Sequence, residues 1–204
     1  MTTERTTERL NSLYPLFYTD LKYIGSPRLE AKLVAAITEC VTMGEQKFMQ
    51  DFGGWFPESS EFGIAPLRPK DLDHNLGATH TSHTNRWIWT SGASGTVAWS
   101  VADTFITSFS LEDNEIMLVY GYFNLSVTQN TLEIQIKPGN VTLPVMQLQP
   151  MRMKNEQYLF FPQPIVVSPR SPFAIDASCI SISTAEEAGL LGYFFASAST
   201  LITK

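Results

Sequence analysis

One alternating stretch in the second half of the chain constrains the fold more than any other feature. Across Thr131–Lys137 every second residue is apolar. Side chains on a β-strand point to opposite faces in turn, so this alternation predicts a strand with one apolar and one polar face. Pro138-Gly139-Asn140 then has turn chemistry, and the alternation resumes over Val141–Val145. The two runs predict a β-hairpin over 131–147.

Short runs with strand character continue through the last hundred or so residues. Gly, Pro, Asn and Asp separate them at intervals of about 8–12 residues, and no helical pattern intervenes. The runs are Trp87–Trp89, Val97–Val101, Phe105–Phe109, Ile116–Phe123, Tyr158–Phe161, Ile165–Val167, Phe173–Cys179 and Leu190–Ala196. Ile116–Phe123 is nearly all apolar, as a strand covered on both faces is. The pattern predicts an antiparallel β-sandwich over residues 87–204, with jelly-roll or immunoglobulin-like topology. The jelly roll is favoured, because the paired cysteines around a tryptophan of immunoglobulin domains are absent.

A helix is predicted before the sandwich, at about 27–51. Ser26 suits the N-cap, and Pro27 suits the first helical position, where its missing N–H costs little. Apolar residues then recur at spacings of three and four up to Val41, and Gly53-Gly54 ends the pattern. Residues 1–54 are thus predicted to be an N-terminal arm and helix, and the proline-containing residues 55–86 an extended linker or loop. The apolar stripe of the helix has two interpretations: packing on the sandwich of its own chain, or docking on a neighbouring subunit.

Charge and composition favour contacts with protein over contacts with nucleic acid. Charged residues make up 17% of the 204 residues, against a usual share of about 25%, and hydrophobic residues make up 44%. The net charge is −6 with no basic cluster, so there is no strong nucleic-acid signal. The sequence contains no run of about 18 apolar residues, so no transmembrane segment is predicted. Cys40 and Cys179 are predicted to be buried thiols, and a disulfide between them is left open.

The sequence contains little that points to catalysis. All three histidines lie in one window with two aspartates, and the possible ligands there are Asp71, Asp73, His74, His80 and His83. Asp and His are metal ligands, but a polar connecting loop is the favoured interpretation, followed by a metal site and by a pH-sensitive subunit-contact loop. A metal-dependent enzyme built on this window is the weakest functional hypothesis. Neither a nucleophile elbow nor a nucleotide-binding glycine pattern occurs. We therefore predict no catalytic residues, no metal, no cofactor and no enzyme activity.

Three tryptophans raise a different possibility. Trp55, Trp87 and Trp89 would suit stacking on sugar rings if they were exposed, although burial of at least two of them is expected. The alternative function is therefore a β-sandwich module that binds a carbohydrate or another ligand.

The order of features in the second half has a recognisable layout. It runs through the apolar strand Ile116–Phe123 with Gly121, the turn Pro138-Gly139-Asn140, the strand Pro164–Val167, the run Phe173–Ser183 and the terminal Gly192-Tyr193-Phe194. In this layout, residues 87–204 resemble the single jelly-roll capsid and capsid-associated proteins of viruses and phages. The resemblance implies a structural protein of the virion that is synthesised in the host cytoplasm and self-assembles. Its implied partners are copies of itself and other virion proteins.

The N-terminal part fits the same picture. Capsid jelly rolls often carry an arm or helix that ties neighbouring subunits together, and the first residues here are balanced in charge, with Glu4, Arg5, Glu8 and Arg9. Contact with protein is therefore expected over contact with a genome. The residues expected at subunit contacts are Phe17, Tyr18, Leu21, Trp55 and Phe56.

Overall fold

A computed structural model describes residues 27–52, 62–68, 72, 87–91 and 103–197. Within these ranges the chain forms nine strands and two helices. Their bounds are α1 Pro27–Phe52, β1 Phe62–Pro66, β2 Ile88–Thr90, β3 Asp103–Ser110, β4 Ile116–Asn124, β5 Thr131–Pro138, β6 Met146–Gln147, α2 Gln149–Met153, β7 Tyr158–Val167, β8 Pro172–Cys179 and β9 Ala185–Ser197. The strands form two antiparallel sheets that pack face to face, with α1 on the outside of one of them. This confirms the predicted mainly-β sandwich with an N-terminal helix.

The order of the strands is that of a jelly roll. The first sheet runs β1-β9-β4-β7, and the second runs β3-β8-β5-β6. β1 pairs with residues 193–197 of β9 and β2 with residues 185–187, so β1 and β2 occupy one strand position in two pieces. Among the described strands, every later connection passes from one sheet to the other except the one between β5 and β6. Eight strand positions in two four-stranded sheets with this connectivity make the sandwich jelly-roll-like.

β4 is buried along its whole length because both of its faces are covered. Ile116 and Leu118 face α1, whereas Met117 and Val119 face the second sheet. The pairing then skips Tyr120 on both sides, which is a β-bulge. An extra residue shifts the alternation of the side chains, so Tyr122, like Met117 and Val119, belongs to the interior cluster between the sheets.

Helix α1 packs on the outer face of the first sheet. Leu33, Ile37, Cys40, Val41 and Phe48 lie on one side of the helix and are buried against residues of β4 and β9. Of the two interpretations of the apolar stripe, the structure shows packing on the chain's own sandwich. The helix spans nearly the residues that the sequence predicts.

Gly44 allows α1 to approach the sheet closely. A Cβ atom at this position would overlap the ring of Phe195, which is itself fully buried. Only glycine therefore leaves room for the ring of Phe195 at this position, and the helix can lie close enough for its neighbouring side chains to contact the sheet.

The predicted hairpin forms, with a shorter second strand than the alternation suggested. Only Met146–Gln147 pairs with β5 as a strand, and residues 139–145 form the connection. Gly139 has a φ of 64° there, a left-handed conformation that glycine adopts without strain. Val141 is exposed and Pro144 has no N–H to donate, so the alternating pattern does not become a paired strand over this stretch.

The expected linker over 55–86 also contributes to the sandwich. Its residues Phe62–Pro66 form β1, and the N–H of Leu67 continues the pairing by donating to the carbonyl of Gly192 over 2.9 Å. The sequence does not predict this strand, because it contains Gly63 and Pro66 and both residue types are depleted in strands. Proline is tolerated here because β1 lies at the edge of its sheet.

β7 forms the other edge of the first sheet and is interrupted by two prolines. Its pairing with β4 passes from Ile165 directly to Phe160, so the segment with Pro162 and Pro164 bulges out of the ladder. Proline has no N–H, so the middle of this edge has fewer donors for a further strand.

Candidate contact surface at one end of the sandwich

Three connections meet at one end of the sandwich, which we call the loop end. They are residues 125–130 between β4 and β5, 148–157 between β6 and β7, and 180–184 between β8 and β9. Backbone hydrogen bonds join them: Leu125 N–H to the carbonyl of Glu187 and Asn124 N–H to that of Gln157, both 2.8 Å, and Ile180 N–H to that of Asn130, 3.0 Å. The loop end is thus one continuous surface.

Exposed aliphatic side chains concentrate at the loop end. Of the eight large hydrophobic residues that are exposed in the described part of the chain, five lie there: Leu125, Val127, Met153, Ile180 and Ile182. Val127 is 98% exposed. Single exposed hydrophobic residues are ordinary, but several together mark contact sites.

Two of these connections carry no charge. Residues 125–130 and 180–184 contain no Asp, Glu, Lys, Arg or His, whereas Met153 stands beside Arg152 and Lys154. We call the four exposed aliphatic residues of the uncharged connections the apolar patch: Leu125, Val127, Ile180 and Ile182.

A buried carboxylate lies beneath the apolar patch. Glu186 is 1% exposed. Its oxygens accept hydrogen bonds from Asn124 Nδ2 (2.8 Å), from Thr131 Oγ1 (2.5 Å), from the N–H of Thr131 (3.0 Å) and from the N–H of Asn130. Burial, and secondly the Glu186 carboxylate, raise the pKa of the neighbouring Tyr122. One side chain thereby connects the end of β4, the start of β5 and the start of β9.

A second set of hydrogen bonds fixes residues 180–184. The amide of Asn130 donates to the carbonyl of Ser181 over 2.9 Å and accepts from its N–H over 2.8 Å. Ser91 Oγ donates to the same carbonyl over 2.8 Å and accepts from the N–H of Thr184 over 3.0 Å. Ser183 has a φ of 51°, an uncommon value for a residue other than glycine, and its N–H donates to Ser91 O. These polar groups bond inward, in a fixed arrangement below the exposed aliphatic side chains.

The opposite end of the sandwich is charged. Arg170 forms a two-pronged ion pair with Asp113 that joins the β7–β8 and β3–β4 connections. Hydrogen bonds from the guanidinium hold the pKa of Asp113 below its usual range. Val141, 59% exposed, lies in the connection that follows β5 at this end. The connections at this end therefore differ in chemistry from the uncharged connections 125–130 and 180–184 of the loop end.

The residues that the sequence singled out as subunit contacts and possible metal ligands lie outside the described ranges. They are the expected subunit contacts Phe17, Tyr18, Leu21, Trp55 and Phe56 and the possible metal ligands Asp71, Asp73, His74, His80 and His83. Among the residues that the structure describes, no three His, Cys, Asp or Glu side chains are grouped to hold a metal ion. Cys40 and Cys179 are described, and both are buried free thiols as predicted.

Two of the three tryptophans considered for ligand stacking are buried. Trp87 is 8% exposed and packs against Gly189 and the ring of Phe123. Trp89 is fully buried, and its indole N–H donates to Thr104 O over 3.4 Å. The expected burial of at least two tryptophans is confirmed, and neither ring offers a face to a ligand.

Sequence patterns missed the network under the loop end, although one signal for it exists. Ala188, Leu190 and Phe194 of β9 face the interior, and the same period of two places Glu186 inward. A carboxylate at an inward position requires several hydrogen-bond donors. The donors lie 55–62 residues away in sequence, so no local pattern identifies them.

No protein-family model matches the sequence, and no curated protein is significantly similar to it.

Neither helix in the described ranges has the length and hydropathy needed to cross a membrane.

Proposed function

We propose that this chain is a structural protein of a virus particle that assembles through contacts between subunits. The observation that carries the proposal is the loop end, where fixed connections present exposed aliphatic side chains above a fully bonded polar network. Interfaces between proteins are depleted of charge at their centres, and a surface that is ordered before contact loses less conformational entropy on binding. The connections 125–130 and 180–184 of the loop end have both properties.

The jelly-roll-like strand order supports the same proposal, with less weight. Many unrelated functions share one fold, so the order of strands by itself decides nothing about activity. A sandwich of two packed sheets does supply a rigid body, and a rigid body can hold contact surfaces at constant angles. Constant angles between identical subunits are what closed symmetric assemblies require.

The carbohydrate-binding alternative has less support. It relied on exposed tryptophans, and Trp87 and Trp89 are buried. The uncharged connections 125–130 and 180–184 offer aliphatic side chains outward, while Asn130 and Ser91 bond within the protein. Sugar recognition relies on outward-facing polar groups and aromatic faces, so this surface fits a protein partner better.

The proposal is tested on the purified full-length chain. We expect light scattering and sedimentation over a range of concentrations to show oligomers of defined mass, and electron microscopy to show closed assemblies. Dilution should dissociate them reversibly, which separates assembly from aggregation. A strictly monomeric chain at the highest attainable concentration would contradict the proposal.

A further inference from the structure

We infer that helix α1 is a lid that opens from the first sheet as a unit while the sandwich stays folded, and that a small disulfide compound holds it open by modifying Cys40. The lid is a conformational device that does not depend on the proposed assembly. A chain that stays monomeric can therefore still have it. The reason for a lid lies in how the buried side chains divide between two layers.

The buried apolar side chains form two separate clusters. The interior cluster lies between the two sheets, and none of its described residues belongs to α1. The outer cluster consists of the apolar side of α1 together with Ile116, Leu118, Tyr120, Tyr193 and Phe195 of β4 and β9. Lifting α1 therefore takes apart the outer cluster and leaves the interior cluster packed. Units that can be separated in this way open at a lower free energy than the whole protein.

Two features of the outer cluster lower the free energy of opening. Within the part of the chain that the structure describes, no group lies at hydrogen-bonding geometry to the fully buried hydroxyl of Tyr120. A buried polar group without a partner is unfavourable, and water reaches this one when the helix lifts. Gly44 lies inside α1, and glycine is a weak helix former, so the helix backbone adds little stability there.

Cys40 makes this opening a switch. Its thiol is fully buried in the outer cluster and burial raises its pKa, so it does not react while the lid is closed. In the open state the thiol loses its proton to solvent and the thiolate attacks the S–S bond of a small disulfide. A mixed disulfide forms at Cys40, and the other half of the compound leaves as a thiolate. The added group has no room in the closed layer, so the lid stays open.

Thiol labelling of the full-length chain tests the lid, because its two cysteines lie in different clusters. Cys40 belongs to the outer cluster and Cys179 to the interior cluster, and both are buried. The probe is cystamine, a small disulfide, and mass spectrometry of peptides locates its adducts. Each rate is divided by the rate of the same thiol in the urea-unfolded chain. We expect the normalised rate of Cys40 to exceed that of Cys179 at least about tenfold, and equal rates would refute the lid.

Two matched substitutions separate lid opening from unfolding of the whole chain. Ile134→Val weakens the interior cluster, which stays packed when only the lid opens. It should speed labelling of Cys179 about three- to tenfold and leave that of Cys40 within about twofold. Ile37→Val weakens the outer cluster, which is packed only in the closed state, so it should speed labelling of both thiols. If Ile134→Val speeds both thiols equally, α1 and the sandwich open as one unit and the inference is wrong.

Hydrogen exchange on the chain labelled at Cys40 tests whether the adduct holds the lid open. We expect the amides of α1 to exchange at least about tenfold faster than in the unlabelled chain, while those of β5 and β8 keep their protection. Excess dithiothreitol should remove the adduct and restore the protection of α1. Unchanged protection of α1 in the labelled chain would overturn the switch. Loss of protection in β5 and β8 as well would also overturn it, because the adduct would then unfold the sandwich.

Discussion

Glu186 shows how much of the loop end depends on one side chain. Its carboxylate accepts four hydrogen bonds from Asn124, Asn130 and Thr131, in surroundings that exclude water. Those groups belong to the end of β4, to the start of β5 in the other sheet and to the residue just before β5. A buried carboxylate is costly unless such donors surround it, so its presence fixes where each donor must lie.

Replacing Glu186 with Gln tests this role. The amide keeps the shape but turns one acceptor into a donor, which then faces the donors Asn124 Nδ2 or Thr131 N–H. We expect the free energy of unfolding to fall by about 2–3 kcal/mol, measured by urea denaturation, because at least one buried group loses its partner. Glu156→Gln is the control at the same end, where the side chain is exposed, and should change stability by less than about 0.5 kcal/mol. Equal stability of Glu186→Gln and wild type would contradict a structural role for this carboxylate.

At this scale the sequence predicts burial better than bonding. The inward facing of Phe173, Ile175 and Cys179 follows from alternation alone, and the structure confirms it. The pairing of Asn130 with Ser181 does not follow, because both residues lie in connections without a period. Side-chain bonds between distant connections depend on the tertiary fold, which local patterns do not encode.

Among the elements, helix α1 is the one that covers the outer face of the first sheet. Without it, Ile116, Leu118 and Phe195 would face water, since they pack against the helix. Tyr120 and Tyr193 stack in the same layer with ring centroids 5.8 Å apart, and Cys40 is buried in the same cluster. The helix is therefore part of the core of this chain.

Gly44→Ala should reverse the usual effect of this substitution. In an exposed helix interior, replacing Gly with Ala stabilises by about 1 kcal/mol. Here the new Cβ would overlap the ring of Phe195, so we expect a loss of about 1–3 kcal/mol in the free energy of unfolding, measured by urea denaturation. Gln46→Ala, on the exposed side of the same helix, should be neutral or slightly stabilising. A gain in stability for Gly44→Ala would show that α1 does not sit this close to β9.

Sequence periods predicted the long elements well and the short ones poorly. The 26 residues of α1 and the continuous apolar run of β4 carry strong patterns. β1 has five residues including Gly63 and Pro66, and β6 has two, which is too few for a period to show. Such strands exist because neighbouring strands supply their partners, a tertiary effect that overrides local propensity.

For the whole molecule, four buried groups predict a sensitivity to alkaline conditions. Burial raises the pKa of Cys40, Tyr120, Tyr122 and Tyr193 above the ordinary values, which the unfolded chain keeps at about 8.5 for Cys and 10 for Tyr. Above those values the unfolded state binds fewer protons than the folded state, so the free energy of unfolding decreases as pH rises. Below about pH 8 these groups should leave the free energy of unfolding nearly independent of pH. Above about pH 8 we expect that free energy to fall increasingly as pH rises, measured by urea denaturation at each pH.

Phenolate absorbance provides the independent check. In the folded protein, three of the seven tyrosines should stay protonated past pH 10 and ionise only on unfolding, whereas all seven should titrate together in denaturant. Ionisation of all seven near pH 10 without unfolding would mean that these side chains are not buried.

The prolines in β7 bear on what happens when this protein is crowded. Fibre growth by edge addition requires an uninterrupted row of backbone donors, and Pro162 and Pro164 break that row near its middle. At the same edge, α1 lies against β7 and limits access from the outer side. At high protein concentration, where stacking of sheets edge to edge becomes a hazard, this interrupted edge disfavours amyloid-like growth through β7.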